Sequence, residues 1–180
     1  MSYNRFMSYP KLPMVCMAVS LVLAGCSNHN EPHHASSAAA STSAASSATS
    51  NDARKAARSV VERFGKRMQE ISVLAPPDAV RAELPKAYGG LLSPALEKTW
   101  QAHPDQVIGR EGSSPWPDRI EIRQLDCTAN NCNATGDVDY ITSNEVAHGG
   151  VFMRRAITLG LTHTSQGWRI AAVRLESARN

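Results

Sequence analysis

The sequence predicts an α+β domain in which helices come first and a four-stranded antiparallel sheet follows. The first observation is a stripe of apolar residues near residue 64, spaced three and four positions apart as on one side of a helix. The second is a change, after residue 119, to alternating apolar and polar residues, which is typical of half-buried strands. The third is that short polar turns separate these alternating segments, and short connections favour antiparallel neighbours.

The first predicted helix is amphipathic. Asp52 is a suitable N-cap, so the helix is expected to start at Ala53. Its apolar stripe consists of Val61, Phe64, Met68 and Ile71. Its other faces carry six basic side chains, diluted by Glu62 and Glu70: Arg54, Lys55, Arg58, Arg63, Lys66 and Arg67. A solvated helix face is the favoured interpretation of these charges, and contact with anionic headgroups or a partner is the alternative.

Two shorter helices are predicted next. The second covers 78–84 and is expected to stop at Pro85, since proline lacks the N–H that continues a helix. Ser93 and Pro94 are a good N-cap and first-turn pair for the third helix. That helix is expected to end near Gln101.

Four strands complete the predicted fold. Their predicted core positions are Ile120 and Ile122, then Gly136, Val138 and Tyr140, then Ile157, Leu159 and Leu161, and finally Trp168 and Ile170. Val173 and Leu175 are out of step with Ile170, and a β-bulge near Ala171-Ala172 would return them to the same face. Turns are expected over 126–133, 143–150 and 164–167. The predicted product is a curved four-stranded meander with N-terminal helices packed on one face.

An apolar run near the N-terminus ends in Leu23-Ala24-Gly25-Cys26. Arg5 and Lys11 precede the run, and Leu12–Leu23 is shorter than the roughly 20 residues that span a bilayer core. This segment resembles the lipobox of bacterial lipoproteins. The resemblance implies cleavage before Cys26, acylation of Cys26 and, because Ser27 follows it, delivery to the outer membrane of a cell with two membranes. An ordinary signal peptide with a chance cysteine is the alternative.

Removal of a signal peptide over 1–25 leaves 17 basic and 16 acidic side chains. This balance argues against a nucleic-acid binder, which would show clustered positive charge. The rest divides into a lipidated Cys26 with a Ser/Ala/Thr-rich tether, over 26–51, and a single domain over 52–180. The tether composition predicts disorder, so its His29, His33 and His34 are interpreted as solvated residues rather than metal ligands. No cofactor or metal is expected.

Cys127 and Cys132 form an even pair once Cys26 is lipidated. They flank a polar turn between two predicted strands, where opposite positions come within disulfide range. In an exported protein a structural disulfide is expected. A zinc pair is the rival, but zinc takes four ligands and no third Cys or His lies nearby in the sequence.

The order of helices and strands resembles that of NTF2-like and cystatin-like domains in small exported bacterial proteins, over roughly residues 53–177. The segment 113–122, Ser-Ser-Pro-Trp-Pro-Asp-Arg-Ile-Glu-Ile, is similar to one in uncharacterised exported proteins of this kind. The resemblance implies a sheet curled into a cone that serves as a pocket or a docking face. It implies no particular activity.

Trp116, Arg154 and Arg155 are candidate binding residues. Trp116 lies between two prolines, which would either present its indole to a partner or return it to the edge of the core; we expect the second. Arg154 and Arg155 are adjacent in a strand, so one of them points toward the core side. There it is expected to pair with Glu145 or Glu176, and an anion site is the alternative.

Asp137, Asp139 and His148 are the acid–base candidates. The resemblance to NTF2-like enzymes implies Asp or His chemistry inside the cone, but Val138 and Tyr140 look like the core face, so both aspartates are expected in solvent. The sequence has no nucleophile elbow, P-loop, metalloprotease helix or dinucleotide motif. The favoured interpretation is a non-enzymatic, lipid-anchored envelope lipoprotein that docks another protein or a small ligand. The alternative is an NTF2-like enzyme.

Overall fold

The computed structural model describes residues 40–177, with side chains described from residue 51 onward. The predicted signal peptide, Cys26 and the three tether histidines lie outside the described residues. The helices are α1 (Ala40–Arg67), α2 (Pro77–Tyr88), α3 (Pro94–Ala102) and α4 (Ser143–His148), with short 3₁₀ turns at Met68–Glu70 and Pro104–Gln106. The strands are β1 (Trp116–Cys127), β2 (Asn131–Ile141), β3 (Met153–Thr164) and β4 (Gly167–Leu175).

The four strands form one open antiparallel sheet in the order β1-β2-β3-β4, which confirms the predicted meander and the α+β class. Helices cover one face, here called the inner face. Phe64, Tyr88 and Trp100, one from each of the first three helices, form an aromatic cluster with ring centroids 4.8 to 6.4 Å apart. The opposite face, here called the outer face, carries mostly polar and charged side chains.

α1 begins at Ala40, well before the start predicted at Ala53. Asp52 is therefore an exposed residue within the helix and not its N-cap. From Ala40 onward the chain is helical, where disorder was predicted over 26–51. Alanine has the highest helix propensity, and extending a packed helix costs far less free energy than nucleating one. The earlier part of the predicted tether lies outside the described residues.

α2 continues past Pro85 to Tyr88, so the predicted stop at Pro85 is wrong. Proline at this position deprives the Arg81 carbonyl of its intrahelical donor. The side-chain amide of Gln101 in α3 donates to that carbonyl at 3.2 Å, and Arg81 Nε donates to the backbone carbonyl of Gln101 at 3.0 Å. This exchange offsets the lost bond and joins α2 to α3.

Two local predictions are confirmed. The Ser93 hydroxyl accepts a hydrogen bond from the Leu96 N–H at 3.2 Å, so Ser93 caps α3. In β4, Ile170 pairs with Leu161 and Ala172 pairs with Gly160, which leaves Ala171 as the extra residue of a bulge. Beyond this bulge Val173 and Leu175 return to the core side, where they pack against it.

The connection over 142–152 contains α4 where only a turn was predicted. Six residues are fewer than two helical turns, so no apolar period marks such a helix. The sequence nevertheless contains a signal for the start of this helix. Thr142 and Glu145 have the spacing of a capping box, in which the first and fourth residues bond each other's backbone N–H.

Candidate functional site

Trp116 lies on the outer face at the end of the sheet where β1 begins. It pairs with Ile141, and directly paired residues point to the same face. The neighbouring pair, Pro117 and Tyr140, is buried on the inner face, so the half-buried indole lies on the other side. This placement differs from the expectation that the indole returns to the edge of the core.

Three charged side chains form a row across β1, β2 and β3 beside this end. Asp139 is paired in register with Arg119 and Arg154. Arg154 Nε donates to Asp139 Oδ1 at 2.9 Å. Arg119 Nη2 lies 2.9 Å from Oδ2, but without hydrogen-bond alignment, so this second contact is electrostatic. We call these residues the charged row.

Asp139 is 1% exposed, so the prediction that it lies in solvent is wrong. The two guanidinium side chains remain 47% and 59% exposed. They cover the carboxylate because arginine is long and aspartate is short, and each keeps its charged head partly in water. The row therefore holds two arginines in place at the surface.

The three acid–base candidates have separate local partners. Asp137 is 18% exposed and lies 3.3 Å from Arg123 Nε. His148 is exposed at the end of α4, with its Nδ1 3.0 Å from the carbonyl oxygen of Asn144. Asp137 and Asp139 are thus counter-ions of arginines, and His148 bonds to its own helix.

Two large apolar side chains are exposed in the β2–β3 connection. Val146 of α4 is 66% exposed and Phe152 is 57% exposed. The backbone N–H of Phe152 donates to the Tyr140 carbonyl at 2.9 Å, so the backbone there is tied to the sheet. Trp116, Ile141, Val146 and Phe152 share this end of the sheet and are called the apolar end. Sequence reasoning missed Val146 and Phe152, although Val146, a large apolar residue inside the turn predicted over 143–150, was an available signal.

A capping box holds α4 at this end. The Thr142 backbone N–H and hydroxyl both donate to Glu145 Oε2, at 2.9 and 2.5 Å, and Asn144 Nδ2 donates to Oε1 at 3.1 Å. Hydrogen bonds from Thr142 and Asn144 lower the pKa of Glu145 to about 2, because they stabilise the ionised carboxylate. Glu145 is therefore engaged by the cap and is not the partner of Arg155.

Arg155 points to the inner face, where it is paired with Val138. Its Nη1 donates to Glu111 Oε1 at 2.7 Å and to the Tyr140 hydroxyl at 3.3 Å. Its Nε donates to the backbone carbonyl of Glu176 at 3.0 Å, but its ion pair is with Glu111, and the Glu176 carboxylate pairs with Arg174 instead. Burial raises the pKa of Tyr140, although the nearby guanidinium opposes this. These bonds fix Arg155 on the inner face of the sheet. Arg154 lies on the outer face, so the two arginines do not share a site.

Cys127 and Cys132 lie at disulfide distance, as predicted. They face each other as the last pair of β1 and β2, with their Cα atoms 4.1 Å apart. The backbone N–H and the hydroxyl of Thr128 both donate to the Asn131 carbonyl, at 2.8 and 3.1 Å. The hairpin opposite the apolar end is thus closed by the cysteine pair and by its own turn.

Two surface grooves lie toward the hairpin end of the domain. The larger, of about 580 Å³, lies between α1 and the β3–β4 hairpin. Trp168, 4% exposed, lies at its base, and Arg63 and Arg169 line it. The smaller, of about 390 Å³, lies beside the β1–β2 hairpin. None of the candidate residues Trp116, Arg154, Arg155, Asp137, Asp139 and His148 lines either groove.

No protein-family model matches the chain, and no curated protein or solved structure matches it at a significant level. Among the helices of residues 40–177, none is both long and apolar enough to cross a membrane. The same part of the chain has no group of three His, Cys, Asp or Glu side chains placed to hold a metal ion.

Proposed function

We propose that this protein is a lipid-anchored envelope lipoprotein whose α+β domain binds another envelope protein through the apolar end. The observation that carries the proposal is the exposure of Val146 and Phe152 on a connection that the Phe152 N–H bonds to the sheet and whose helix, α4, begins in a capping box. Large apolar side chains clustered at a surface are typical of protein-interaction sites. A fixed backbone also lowers the entropy lost when such side chains are immobilised by a partner.

The charged row supplies the polar border of this surface. Arg119 and Arg154 are half-exposed and retain N–H groups for a partner's carbonyl or carboxylate oxygens. Protein interfaces commonly combine an apolar centre with a polar rim, and arginine and tryptophan are enriched among residues that dominate binding energy. Trp116 and Arg154, two of the candidate binding residues, therefore belong to the proposed surface, whereas Arg155 does not.

The lipid anchor is supported by the segment Leu23-Ala24-Gly25-Cys26 after an apolar run. Each buried CH₂ of an acyl chain contributes about 0.8 kcal/mol, and two or more chains give stable anchoring. An anchored domain meets membrane-bound partners at a high effective concentration, so a small docking surface suffices for binding.

Site-specific photocrosslinking in intact cells tests the docking surface. A benzophenone amino acid is placed at Phe152 or Val146 in the full chain, and at Leu74 as a matched control. Leu74 is apolar and 71% exposed, but it lies between the first two helices, α1 and α2. We expect one discrete protein adduct from positions 152 and 146 and none from 74. Equal adducts from all three positions, or none from 152 and 146, would refute the proposal.

A second candidate is a small ligand in the larger groove. The groove has an indole at its base, and the cations Arg63 and Arg169 along its walls outnumber its one carboxylate, Asp52, which suits an apolar molecule with an anionic group. Thermal-shift measurements with amphipathic carboxylates test it, using Ala56→Trp to fill the groove. A ligand that stabilises the native chain and not the filled variant would support this candidate.

A further inference from the structure

Five exposed cations lie along α1, and we call them the basic face: Arg54, Lys55, Arg58, Arg63 and Lys66. Two exposed acids, Asp52 and Glu62, belong to the same stretch of helix, so its formal charge is +3. The basic face extends about 18 Å along the helix axis, at 1.5 Å per residue. It is a strongly charged strip on a chain whose predicted mature form has a nearly balanced charge.

The basic face is also unneutralised. Among side chains 51–177, none of its five cations lies within ion-pair distance of a carboxylate, although Glu62 is four residues from both Arg58 and Lys66. Elsewhere in the domain the basic side chains in ion pairs are Arg81, Lys86, Arg119, Arg123, Arg154, Arg155 and Arg174. The field of the basic face is therefore available to an external anion.

We propose that the basic face docks on anionic lipid headgroups of the membrane that holds Cys26, an inference that rests on the proposed lipid anchor. Thirteen residues separate Cys26 from Ala40, where α1 begins, and a chain of that length spans at most about 50 Å. The anchored chain can therefore bring α1, and with it the basic face, to the bilayer surface. Juxtamembrane clusters of Lys and Arg bind anionic headgroups electrostatically.

A lipid surface fits this strip better than a nucleic acid does. In the exposed arc that holds the five cations, the other side chains are small or acidic, and none is an aromatic ring on which a base could stack. A row of flexible, separate cations suits an array of mobile headgroups, which needs no fixed ligand geometry. Docking would lay α1 against the membrane as a second, weaker attachment beside the acyl chains.

Cysteine-labelling protection measures this docking directly. Ser59→Cys places one thiol on the exposed side of α1 between the cations, and Thr158→Cys places one on the outer face of the sheet. Mature protein purified from membranes is mixed with excess vesicles of phosphatidylcholine alone or with phosphatidylglycerol added. The rate of reaction with a bulky maleimide is then compared.

We expect anionic vesicles to slow labelling at position 59 by about fivefold or more at low salt, and high salt to restore the rate, because salt screens surface charge. Neutral vesicles should leave position 59 unprotected, and labelling at 158 should not change. Substituting Arg54, Lys55, Arg58 and Lys66 with Gln should abolish the protection. A matched variant with Gln at Lys86, Lys98, Arg123 and Arg174, all exposed elsewhere, should retain it.

Circular dichroism of both variants establishes that each is folded, so lost protection reports lost docking. Equal labelling on both kinds of vesicle would overturn the inference, as would protection that survives the α1 substitutions. Protection by a soluble acidic polypeptide but not by anionic vesicles would assign the face to an acidic protein and also overturn it.

The mass of Cys26 in the same preparation separates this inference from the proposed anchor. If Cys26 is acylated but position 59 is not protected, the lipid anchor is supported and docking of the basic face is refuted. Unmodified Cys26 with a protected position 59 refutes the anchor and leaves lipid binding by the basic face standing.

Discussion

Asp139 occupies an outward-facing position of β2, yet water scarcely reaches its carboxylate. The alternation of Val138 and Tyr140 correctly predicted the strand and its inner face. It could not predict burial of Asp139, because the covering side chains come from β1 and β3, and only the register places Arg119 and Arg154 opposite it. For the same reason Glu111 was not foreseen as the partner of Arg155.

Asp139→Asn should destabilise the domain by about 2 kcal/mol, since hydrogen bonds to charged groups contribute roughly 1.5–3 kcal/mol each. The loss stays within that range because both arginines are half-exposed and can turn to water. Asp137→Asn is the control. Its carboxylate is more exposed and lies 3.3 Å from a single arginine nitrogen, so its loss should be below about 1 kcal/mol. Urea unfolding measures both, and equal losses would contradict the special role of the charged row.

Glu145 should titrate well below the ordinary glutamate pKa. Its folded-state pKa is lowered to about 2 by the cap, so the contribution of the cap to α4 is present above pH 4.5 and is lost as pH falls through 2. Side-chain carboxyl NMR shifts report this titration. Thr142→Val removes the hydroxyl donor and should raise the pKa toward 4.5. A native Glu145 titrating near 4.5 would show that the capping box is absent in solution.

At the scale of elements, Gly65 of α1 allows this helix to lie very close to β1. A Cβ at this position would lie 2.7 Å from the Ile120 backbone nitrogen and 2.9 Å from its Cγ1, both too close. The sequence pattern predicted which side of α1 faces the core but gave no value for this separation. Pro85 shows a similar limit, because the compensating donor, Gln101, belongs to another helix.

Gly65→Ala should therefore push α1 away from β1 and cost about 1–3 kcal/mol, the usual range for overpacking. We expect this loss to exceed the gain of about 1 kcal/mol from alanine's higher helix propensity, because the Cβ would meet the backbone of β1 and not only a flexible side chain. Gly112→Ala serves as the control, since a Cβ there would lie 3.9 Å from its nearest neighbour. If thermal melts show Gly65→Ala to be as stable as the control, the packing described for α1 is wrong.

The β1–β2 hairpin should lose stability without losing function when its cysteines are removed. Closing a six-residue loop contributes about 2 kcal/mol in the chain-entropy account. The Cys127→Ser, Cys132→Ser double variant should thus unfold at lower denaturant concentration, while crosslinking from Phe152 persists at the opposite end of the sheet. Thiol alkylation of protein from the envelope should find both cysteines bonded. Free thiols there, or lost crosslinking in a folded variant, would contradict a purely structural role.

At the scale of the whole molecule, periodicity and the short turns predicted the α+β class, the four-strand meander and a bulge near Ala171-Ala172. These features follow from local alternation, which a single sequence displays. The surfaces used in the proposals did not follow from it. The exposure of Val146 and Phe152 depends on the position that the β2–β3 connection takes in the folded domain. The unpaired charge of α1 depends on which carboxylates the fold brings near it.

The central claim for the molecule is that its domain works from a lipid anchor at a membrane surface. The intact mass of the protein extracted from cell membranes tests this most directly, with fragmentation to locate any modification. The proposed function predicts a chain that begins at Cys26, lacks residues 1–25 and carries acyl chains on that residue, with Cys127 and Cys132 two hydrogens lighter than free thiols. Cys26→Ser should abolish the acyl mass and the membrane fraction together. A membrane-bound native chain with an unmodified Cys26, or one cleaved elsewhere, would contradict the claim.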